Sequence, residues 1–321
     1  MLVAEVIRWG IIGCGDVTEV KSGPGFQKAQ GSALVAVMRR DRARAEDYAR
    51  RHGVPRAYGE ADALIADPEV DAIYIATPVS SHCALALQVA AAGKPCLVEK
   101  PMAMSHEECT RMVAAFRTSG VPLWVAYYRR ALPRFVTIRG LLESGAIGRP
   151  TAVQVAITDR LAPVETRRNW RFDPAVSGGG LFLDLGSHCV DLCDFLLGTI
   201  TDAAGFSSNT GSAYAAPDLT TLACRFESGA AGTGVWNFNA DRKTDALTIT
   251  GSAGTIEAPI FADADVVVTR DGHREVLPIR NPPHVHQPLI QSIVDQLRGG
   301  PPCPSSGDSG ARASWVMDRC R

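Results

Sequence analysis

Short apolar runs alternate with helix-like stretches from the start of the chain to Ala126, and this alternation constrains the fold more than any other feature. The apolar runs are predicted strands at Ile7–Ile12, Leu34–Met38, Ala72–Ala76, Cys96–Val98 and Leu123–Ala126. They lack polar alternation, which is typical of parallel strands covered by helices on both faces. We therefore predict an α/β fold that begins with a doubly wound parallel sheet.

The second half of the chain has a different pattern, with predicted strands separated by short polar or glycine-containing breaks. The strands are Thr151–Thr158, Leu219–Phe226, Ala230–Phe238, Ala246–Thr250 and Val266–Thr269, with predicted helices at Leu181–Leu197 and Val285–Leu297. Such spacing indicates an antiparallel sheet. The 321 residues also exceed the usual size of one domain. We predict two domains, at residues 1–128 and 129–321, the second of α+β type.

The amino-acid composition indicates which classes of binding partner and which cellular compartment to expect. Lys and Arg total 33 against 34 Asp and Glu, a balance that gives no support to nucleic-acid binding. The nine cysteines are odd in number and include no CxxC pair, which favours reduced thiols in a cytosol over a disulfide framework. No signal-peptide pattern and no run of the ~18 apolar residues needed by a membrane helix is present. We expect a soluble, cytoplasmic protein without membrane or nucleic-acid partners.

A glycine-containing segment follows the first predicted strand and is the first candidate binding site. It comprises Gly13, Cys14, Gly15, Asp16 and Val17. The glycines allow a sharp turn and a close approach to a pyrophosphate at a helix N-terminus. The third small position of the pattern is Thr18, for which we expect a slightly looser approach of helix to strand. The alternative is a tight turn that binds no ligand.

The end of the second predicted strand indicates which dinucleotide is bound. An acidic residue there would accept hydrogen bonds from the ribose 2′-hydroxyl, whereas arginine can neutralise a 2′-phosphate. The sequence has Arg39 and Arg40 at this point, so NADP(H) is favoured and NAD(H) is possible. Asp41 could serve as the acid, but we expect it to cap the following helix.

Polar residues also follow the next two strands, where the carboxyl ends of parallel strands line a ligand crevice. Glu99 and Lys100 come directly after Cys96–Val98, and Thr77 and Pro78 follow Ala72–Ala76. A lysine beside a nicotinamide could assist proton movement. The alternatives are a solvated Lys100 paired with Glu99, and a Thr77 that only ends its strand.

Asp184 and His188 follow the glycine run Gly178–Gly180 and are four residues apart. On a helix both would project from one face. A carboxylate and an imidazole could there orient a hydroxyl and take its proton. The alternative is a helix pair or a core histidine. No metal site is expected, because Cys189 would point about a hundred degrees away from His188 and no second cluster supplies more ligands.

Together these segments resemble the Gfo/Idh/MocA family of NAD(P)-dependent oxidoreductases. The resemblance covers nearly the whole chain and extends through Tyr128-Arg129-Arg130. It implies an N-terminal Rossmann domain and a C-terminal domain with an open, mainly antiparallel sheet, through which members commonly form homodimers or homotetramers. It also implies small-molecule substrates, namely sugars, cyclitols and related diols.

The resemblance further implies roles for individual residues. Lys100 matches the family lysine at the nicotinamide, and Asp184 and His188 match the family's Asp-x-x-x-His pair, so these three are the predicted catalytic residues. The predicted cofactor contacts are the five residues of the glycine loop with Arg39, Arg40, Thr77, Pro78, His82, Glu99, Lys100 and Arg130. The predicted substrate contacts are Lys100, Tyr128, Trp170, Arg171, Asp184 and His188; Trp170 could instead be a loop anchor.

The predicted reaction is reversible hydride transfer between a nicotinamide and a carbinol or carbonyl carbon. His188 would exchange the hydroxyl proton, and Lys100 would stabilise developing negative charge on the same oxygen. Two alternatives stay open. One is a redox-assisted glycoside hydrolase that retains its NAD, and the other is a non-catalytic sensor of a dinucleotide or a sugar.

Overall fold

The computed structural model describes residues 5–161, 172–211 and 213–321. The strands are β1 (Ile7–Ile12), β2 (Ser32–Met38), β3 (Arg56–Tyr58), β4 (Ala72–Ile75), β5 (Cys96–Val98), β6 (Leu123–Val125), β7 (Pro150–Thr158), β8 (Ile200–Ser208), β9 (Leu219–Phe226), β10 (Ala231–Asn237), β11 (Thr244–Gly251), β12 (Gly254–Ala258), β13 (Val266–Arg270) and β14 (His273–Leu277). The α-helices are α1 (Asp16–Val20), α2 (Gly23–Lys28), α3 (Arg42–His52), α4 (Ala61–Ile65), α5 (His82–Ala91), α6 (His106–Ser119), α7 (Pro133–Glu143), α8 (Pro174–Ser177), α9 (Ser187–Leu197), α10 (Gln287–Leu297) and α11 (Gly307–Asp318).

The chain forms two compact units. The first contains the residues up to Leu132 together with Pro282–Ala311, and the second contains Pro133–Asn281 with Arg312–Arg321. The predicted boundary at residues 128/129 lies close to Leu132. The segment Pro282–Ala311, which the prediction assigns to the second domain, packs with the first unit because its helix α10 adds buried apolar side chains to that core.

The first unit is built on a parallel sheet of six strands in the order β3-β2-β1-β4-β5-β6. This is the strand order of the Rossmann fold, so the predicted doubly wound sheet is confirmed. The order reverses between β1 and β4, and in such sheets a ligand binds beyond the carboxyl ends of the strands at this reversal. The loops after β1, β2, β4 and β5 are therefore where a cofactor site is expected.

An aromatic cluster forms part of the core of the first unit. The rings of Trp9 and Phe26 lie with centroids 4.8 Å apart, and those of Phe26 and Tyr74 lie 5.1 Å apart. All three side chains are fully buried. Ile290 and Ile293 of α10 belong to the same buried cluster. Apolar burial of this kind fixes β1 and β4, whose loops carry predicted site residues.

The second unit is built on an eight-stranded mixed sheet, in the order β14-β13-β12-β11-β7-β10-β9-β8. Only the β7–β10 pairing is parallel; the other pairings are antiparallel, which confirms the predicted mainly antiparallel sheet. Every residue of α9 is buried. Where the sequence predicts one helix over Leu181–Leu197, the structure has a π-helical segment at Phe182–Gly186 followed by α9. Within the described ranges, no helix has the length and apolar character to cross a membrane.

Candidate active-site residues

The glycine loop turns sharply at the end of β1. Gly13 has a φ of +92°, a region that favours glycine. The backbone N–H groups of Gly13 and Cys14 both donate to the carbonyl oxygen of Met38, at 2.9 and 3.1 Å. A Cβ added at Gly15 would meet only the carbonyl oxygen of Gly13, at 3.9 Å. The loop is thus tied to the end of β2 and leaves open space over Gly15, which suits a bound phosphate.

Thr18 fills the third small position without leaving space around it. Its side chain is fully buried, and its hydroxyl donates to the carbonyl oxygen of Gly15 while accepting from the Gly15 N–H. A Cβ on Gly23 would overlap the carbonyl oxygen of Thr18. Gly23 therefore packs directly against the Thr18 backbone, and the looser approach of helix to strand expected at Thr18 stays a prediction.

Arg39 lies directly after β2 and beside the glycine loop. Its Nη1 is 3.5 Å from the carbonyl oxygen of Cys14, and its side chain is half-buried, whereas Arg40 is exposed. Burial raises the pKa of the Cys14 thiol to about 11, so this thiol adds no negative charge near Arg39. Asp41 accepts a hydrogen bond from the backbone N–H of Arg44, as predicted for the cap of α3.

The loop after β4 packs on the glycine loop. A Cβ on Gly13 would lie 2.7 Å from Cγ2 of Thr77. Pro78 is exposed, but His82 is 1% exposed. The two ring nitrogens of His82 face the carbonyl oxygens of Thr77 and Pro101, at 2.8 and 3.0 Å. His82 therefore bridges the loops after β4 and β5, and its predicted contact with the cofactor stays a prediction.

The loop after β5 carries Lys100. The Glu99 carboxylate is buried, accepts a hydrogen bond from the Tyr74 hydroxyl, and accepts one from the Lys100 backbone N–H at 3.1 Å. The Lys100 side chain is half-buried, and the Lys100-Pro101 peptide bond is cis. Glu99 thus fixes the backbone of Lys100 from inside the unit, and its predicted contact with the cofactor stays a prediction.

Tyr128, Arg129 and Arg130 form a 3-10 turn after β6. The Tyr128 ring stacks on that of His286, with centroids 4.3 Å apart, and the Arg129 guanidinium lies 4.9 Å from the Tyr128 ring centroid. Arg130 donates from Nη1 to the carbonyl oxygen of Pro304 at 3.2 Å. Burial lowers the pKa of His286, so it packs as a neutral ring. The sequence analysis missed His286, which no local motif marks.

In the second unit, a glycine run precedes the predicted catalytic pair. Gly178, Gly179 and Gly180 all have positive φ angles, of 79°, 159° and 72°. The Ser177 hydroxyl accepts from the Gly180 N–H at 2.9 Å and donates to the carbonyl oxygen of Asp173. The run therefore makes a tight turn that other residues would adopt only with strain.

Asp184 lies within the π-helical segment Phe182–Gly186, and His188 lies in the first turn of α9. The sequence predicts that the Asp184 and His188 side chains project from one face of a regular α-helix. A π-helix has more residues per turn than an α-helix, so a spacing of four residues does not place two side chains on one face in the same way. Asp184 is half-buried and His188 is 3% exposed. The ring of Phe261 lies edge-on to the His188 imidazole, with centroids 6.2 Å apart.

Two predicted substrate residues, Trp170 and Arg171, lie outside the described residues. The sequence analysis did not predict that Phe261 lies beside His188. The two residues are far apart in the chain, and no motif around Phe261 indicates which side chain it contacts. Over the part of the chain that the structure describes, no group of three His, Cys, Asp or Glu side chains could hold a metal ion.

The strand order of the first unit and its glycine loop define a dinucleotide-binding protein, and comparison with protein families agrees. Residues 7–127 match the NAD-binding Rossmann domain of an oxidoreductase family, and residues 135–257 match the GFO/IDH/MocA C-terminal domain. The chain therefore belongs to the Gfo/Idh/MocA family, as predicted. It is an enzyme, an oxidoreductase of this family.

Similar proteins extend this result over the whole chain. An oxidoreductase of Formosa agariphila is 38% identical over 317 residues, which cover 97% of each chain. A trans-1,2-dihydrobenzene-1,2-diol dehydrogenase of Oryctolagus cuniculus is 32% identical over 244 residues, covering 74% of this chain and 71% of its own. The solved structure of levoglucosan dehydrogenase with NADH has a TM-score of 0.86 at 22% identity, and the match covers 98% of this chain and 95% of that one. This last likeness shows the shared fold.

Proposed function

We propose that this protein transfers a hydride between NADP(H), or NAD(H), and a carbinol or carbonyl carbon of a sugar, cyclitol or related diol. Membership of the family supports the reaction type. The relative from Oryctolagus cuniculus, which is named a diol dehydrogenase, supports a diol substrate. When bound, the nicotinamide supplies the hydride acceptor or donor, and the protein supplies binding, orientation and proton transfer.

The first unit fits a dinucleotide at its glycine loop. The five residues Gly13, Cys14, Gly15, Asp16 and Val17 would hold the pyrophosphate, since the loop leaves open space over Gly15. Arg39 and Arg40 would bind the 2′-phosphate of NADP(H), and the use of Asp41 as a helix cap supports this preference. Thr77 and Pro78 would lie beside the cofactor.

The position of Lys100 is the observation that best supports the proposed reaction. It lies two residues after the last residue of β5, at the end of the sheet where the loops carry ligands, and its backbone N–H donates to the buried Glu99 carboxylate. Its ammonium group would donate a hydrogen bond to the reacting oxygen and stabilise negative charge there. His188 would take the hydroxyl proton in oxidation and return it in reduction. Asp184 would hold a neighbouring hydroxyl or orient His188.

Further assignments complete the proposal. Tyr128, Trp170 and Arg171 would contact the substrate, and Arg130 the cofactor. The protein would form a homodimer or homotetramer through the sheet of the second unit. The exposed side chain of Phe206 on β8, 83% accessible, supports this assembly. Nine free cysteines, eight of them buried, support a reducing cytoplasm.

The test is turnover of a panel of trans-1,2-dihydrobenzene-1,2-diol, levoglucosan, glucose and myo-inositol with NADP+ or NAD+. Absorbance of the reduced cofactor is recorded. Lys100→Ala and His188→Ala should bind NADPH normally and lose roughly 10²- to 10⁴-fold in kcat. The exposed residues Lys28 and His273 provide the controls Lys28→Ala and His273→Ala, which should keep their activity.

Two results would reject the proposal. If both active-site variants keep a near-normal kcat, Lys100 and His188 do not have these roles. Release of a sugar from a glycoside without net change of the cofactor would favour the redox-assisted glycoside hydrolase, and Arg39 argues mildly against that reading because such an enzyme retains NAD.

A further inference from the structure

A loop of the second unit, residues 259–264, follows β12 and carries Phe261 against His188. We propose that Arg134 and Asp245 hold this loop from two sides, and that Phe261 thereby fixes the orientation of the His188 imidazole. Arg134, Asp245 and Phe261 are then positioning residues. The catalytic consequence rests on the proposed role of His188.

Asp245 on β11 binds the N–H side of the loop. Its carboxylate accepts three backbone hydrogen bonds, from Ile260 to Oδ1 at 2.8 Å and from Phe261 and Ala262 to Oδ2 at 2.8 and 2.7 Å. Three consecutive N–H groups thus converge on one ionised side chain, and hydrogen bonds to a charged acceptor are stronger than neutral ones. This arrangement fixes the backbone on both sides of the Phe261 side chain.

Arg134 on α7 binds the carbonyl side of the same loop. Its side chain is 1% exposed, and its Nη1 group donates to the carbonyl oxygens of Pro259, Ala262 and Ala264 at 3.2, 2.7 and 3.2 Å. Its Nη2 group donates to Oδ1 of Asn281 at 3.3 Å and lies 3.5 Å from Oδ1 of Asp263. A buried guanidinium needs hydrogen-bond partners to offset the hydration that it loses. Moving the loop away would remove these partners and would therefore cost free energy.

Phe261 transmits this constraint to His188. Its ring is half-buried and meets the imidazole edge-on, at an interplanar angle of 78°, an arrangement that aromatic pairs prefer. An imidazole that exchanges a proton must point at one oxygen, and a small misplacement lowers the rate steeply. Fixing the ring by a neighbour on a doubly held loop therefore serves the proton transfer proposed for His188.

The experiment measures the NMR signal of the His188 imidazole as well as the turnover rate. Protein labelled with ¹³C at histidine Cε1 is studied by NMR, and the His188 signal is assigned by its loss in His188→Ala. We expect Asp245→Asn and Phe261→Leu to shift this signal. We also expect them to lower kcat about 10- to 100-fold on the best panel compound, with KM for the cofactor within about twofold because the cofactor loops are untouched.

Two controls separate positioning from general damage. Phe261→Tyr keeps the ring and should retain both the signal and kcat. Asp271→Asn changes an exposed aspartate in the turn between β13 and β14 and should alter neither. If Asp245→Asn does not fold, kcat of Phe261→Leu compared with Phe261→Tyr decides, because loss of an aromatic ring by itself shifts the signal of a neighbouring imidazole.

An unchanged His188 signal in the folded variants overturns the proposal, as does a shifted signal with unchanged kcat. If His188→Ala keeps its turnover, or if no panel compound is turned over, the proposed function fails instead. The His188 signal of Asp245→Asn, which keeps the Phe261 ring, then still decides whether the loop orients the imidazole.

Discussion

The ring of Tyr128 stacks on the imidazole of His286, with centroids 4.3 Å apart and ring planes inclined by 31°. His286 Nδ1 also lies 3.9 Å from Oε1 of Glu99, the residue before Lys100. One histidine from the segment Pro282–Ala311 therefore meets both the turn after β6 and the loop after β5. This segment is part of the structure that supports the proposed catalytic lysine.

Removing the His286 ring should destabilise the first unit. We expect His286→Ala to lower the free energy of unfolding by roughly 2 to 4 kcal/mol, because a fully packed side chain is replaced by a cavity. His286→Phe keeps a ring against Tyr128 and should cost less. Urea unfolding at neutral pH measures both, and equal losses in the two variants would argue against the stacking contribution.

Changing Arg39 should alter the choice of cofactor. We expect Arg39→Ala to raise KM for NADP+ about tenfold or more, a loss of about 1.4 kcal/mol that matches a hydrogen bond to a charged group. KM for NAD+ should stay within about twofold. Initial rates at saturating substrate give both constants. Arg50→Ala, in the last turn of α3, is the control, and an equal loss for both cofactors would show that Arg39 does not read the 2′-phosphate.

Glu19 should make the stability of the first unit depend on acid pH. Hydrogen bonds from Arg51, with a further contact to His52, lower the pKa of Glu19 from 4.5 to about 2. Because the pKa is lower in the folded state, the carboxylate stabilises the protein fully above pH 4.5, and this contribution is lost as the pH falls towards 2.

Glu19→Gln should therefore be less stable than the unaltered protein at pH 7, and the difference should shrink below pH 4.5. Chemical unfolding at pH 7, 4 and 3 measures this difference in the free energy of unfolding. Glu60→Gln is the control, because Glu60 is exposed. A difference that stays constant with pH would mean that the Glu19 charge contributes nothing.

Gly23 should tolerate no side chain. A Cβ there would overlap the Thr18 carbonyl oxygen and lie 2.5 Å from the Tyr48 hydroxyl, so we expect Gly23→Ala to cost about 1 to 3 kcal/mol of stability. It should also weaken NADPH binding, because Thr18 closes the glycine loop. Gly140→Ala is the matched control, since Gly140 lies in α7 with open space around it and should gain about 0.5 to 1 kcal/mol. Thermal unfolding and fluorescence titration with NADPH compare them.

Local features were predictable from the sequence. The parallel strands, the turn at Gly13 and the cap at Asp41 depend on side-chain periodicity and on residues within a few positions of each other. The helix near residues 285–297 was predicted for the same reason, since an apolar stripe at helical spacing needs only the sequence of the helix itself. Strands β3, β8, β12 and β14 were missed; β3 has three residues, all half-buried, and four of the five β14 residues are exposed, so neither strand shows a buried alternation.

The sequence by itself therefore determined five of the six parallel strands, the glycine loop and the residue types at the strand ends. Only the tertiary structure decided that α10 packs in the first unit, that His286 meets Tyr128, and that Phe261 meets His188. An apolar helix face or a ring specifies that it must be buried, but not against which surface. That choice depends on which partners the rest of the fold brings within reach, and those partners are far away in the chain.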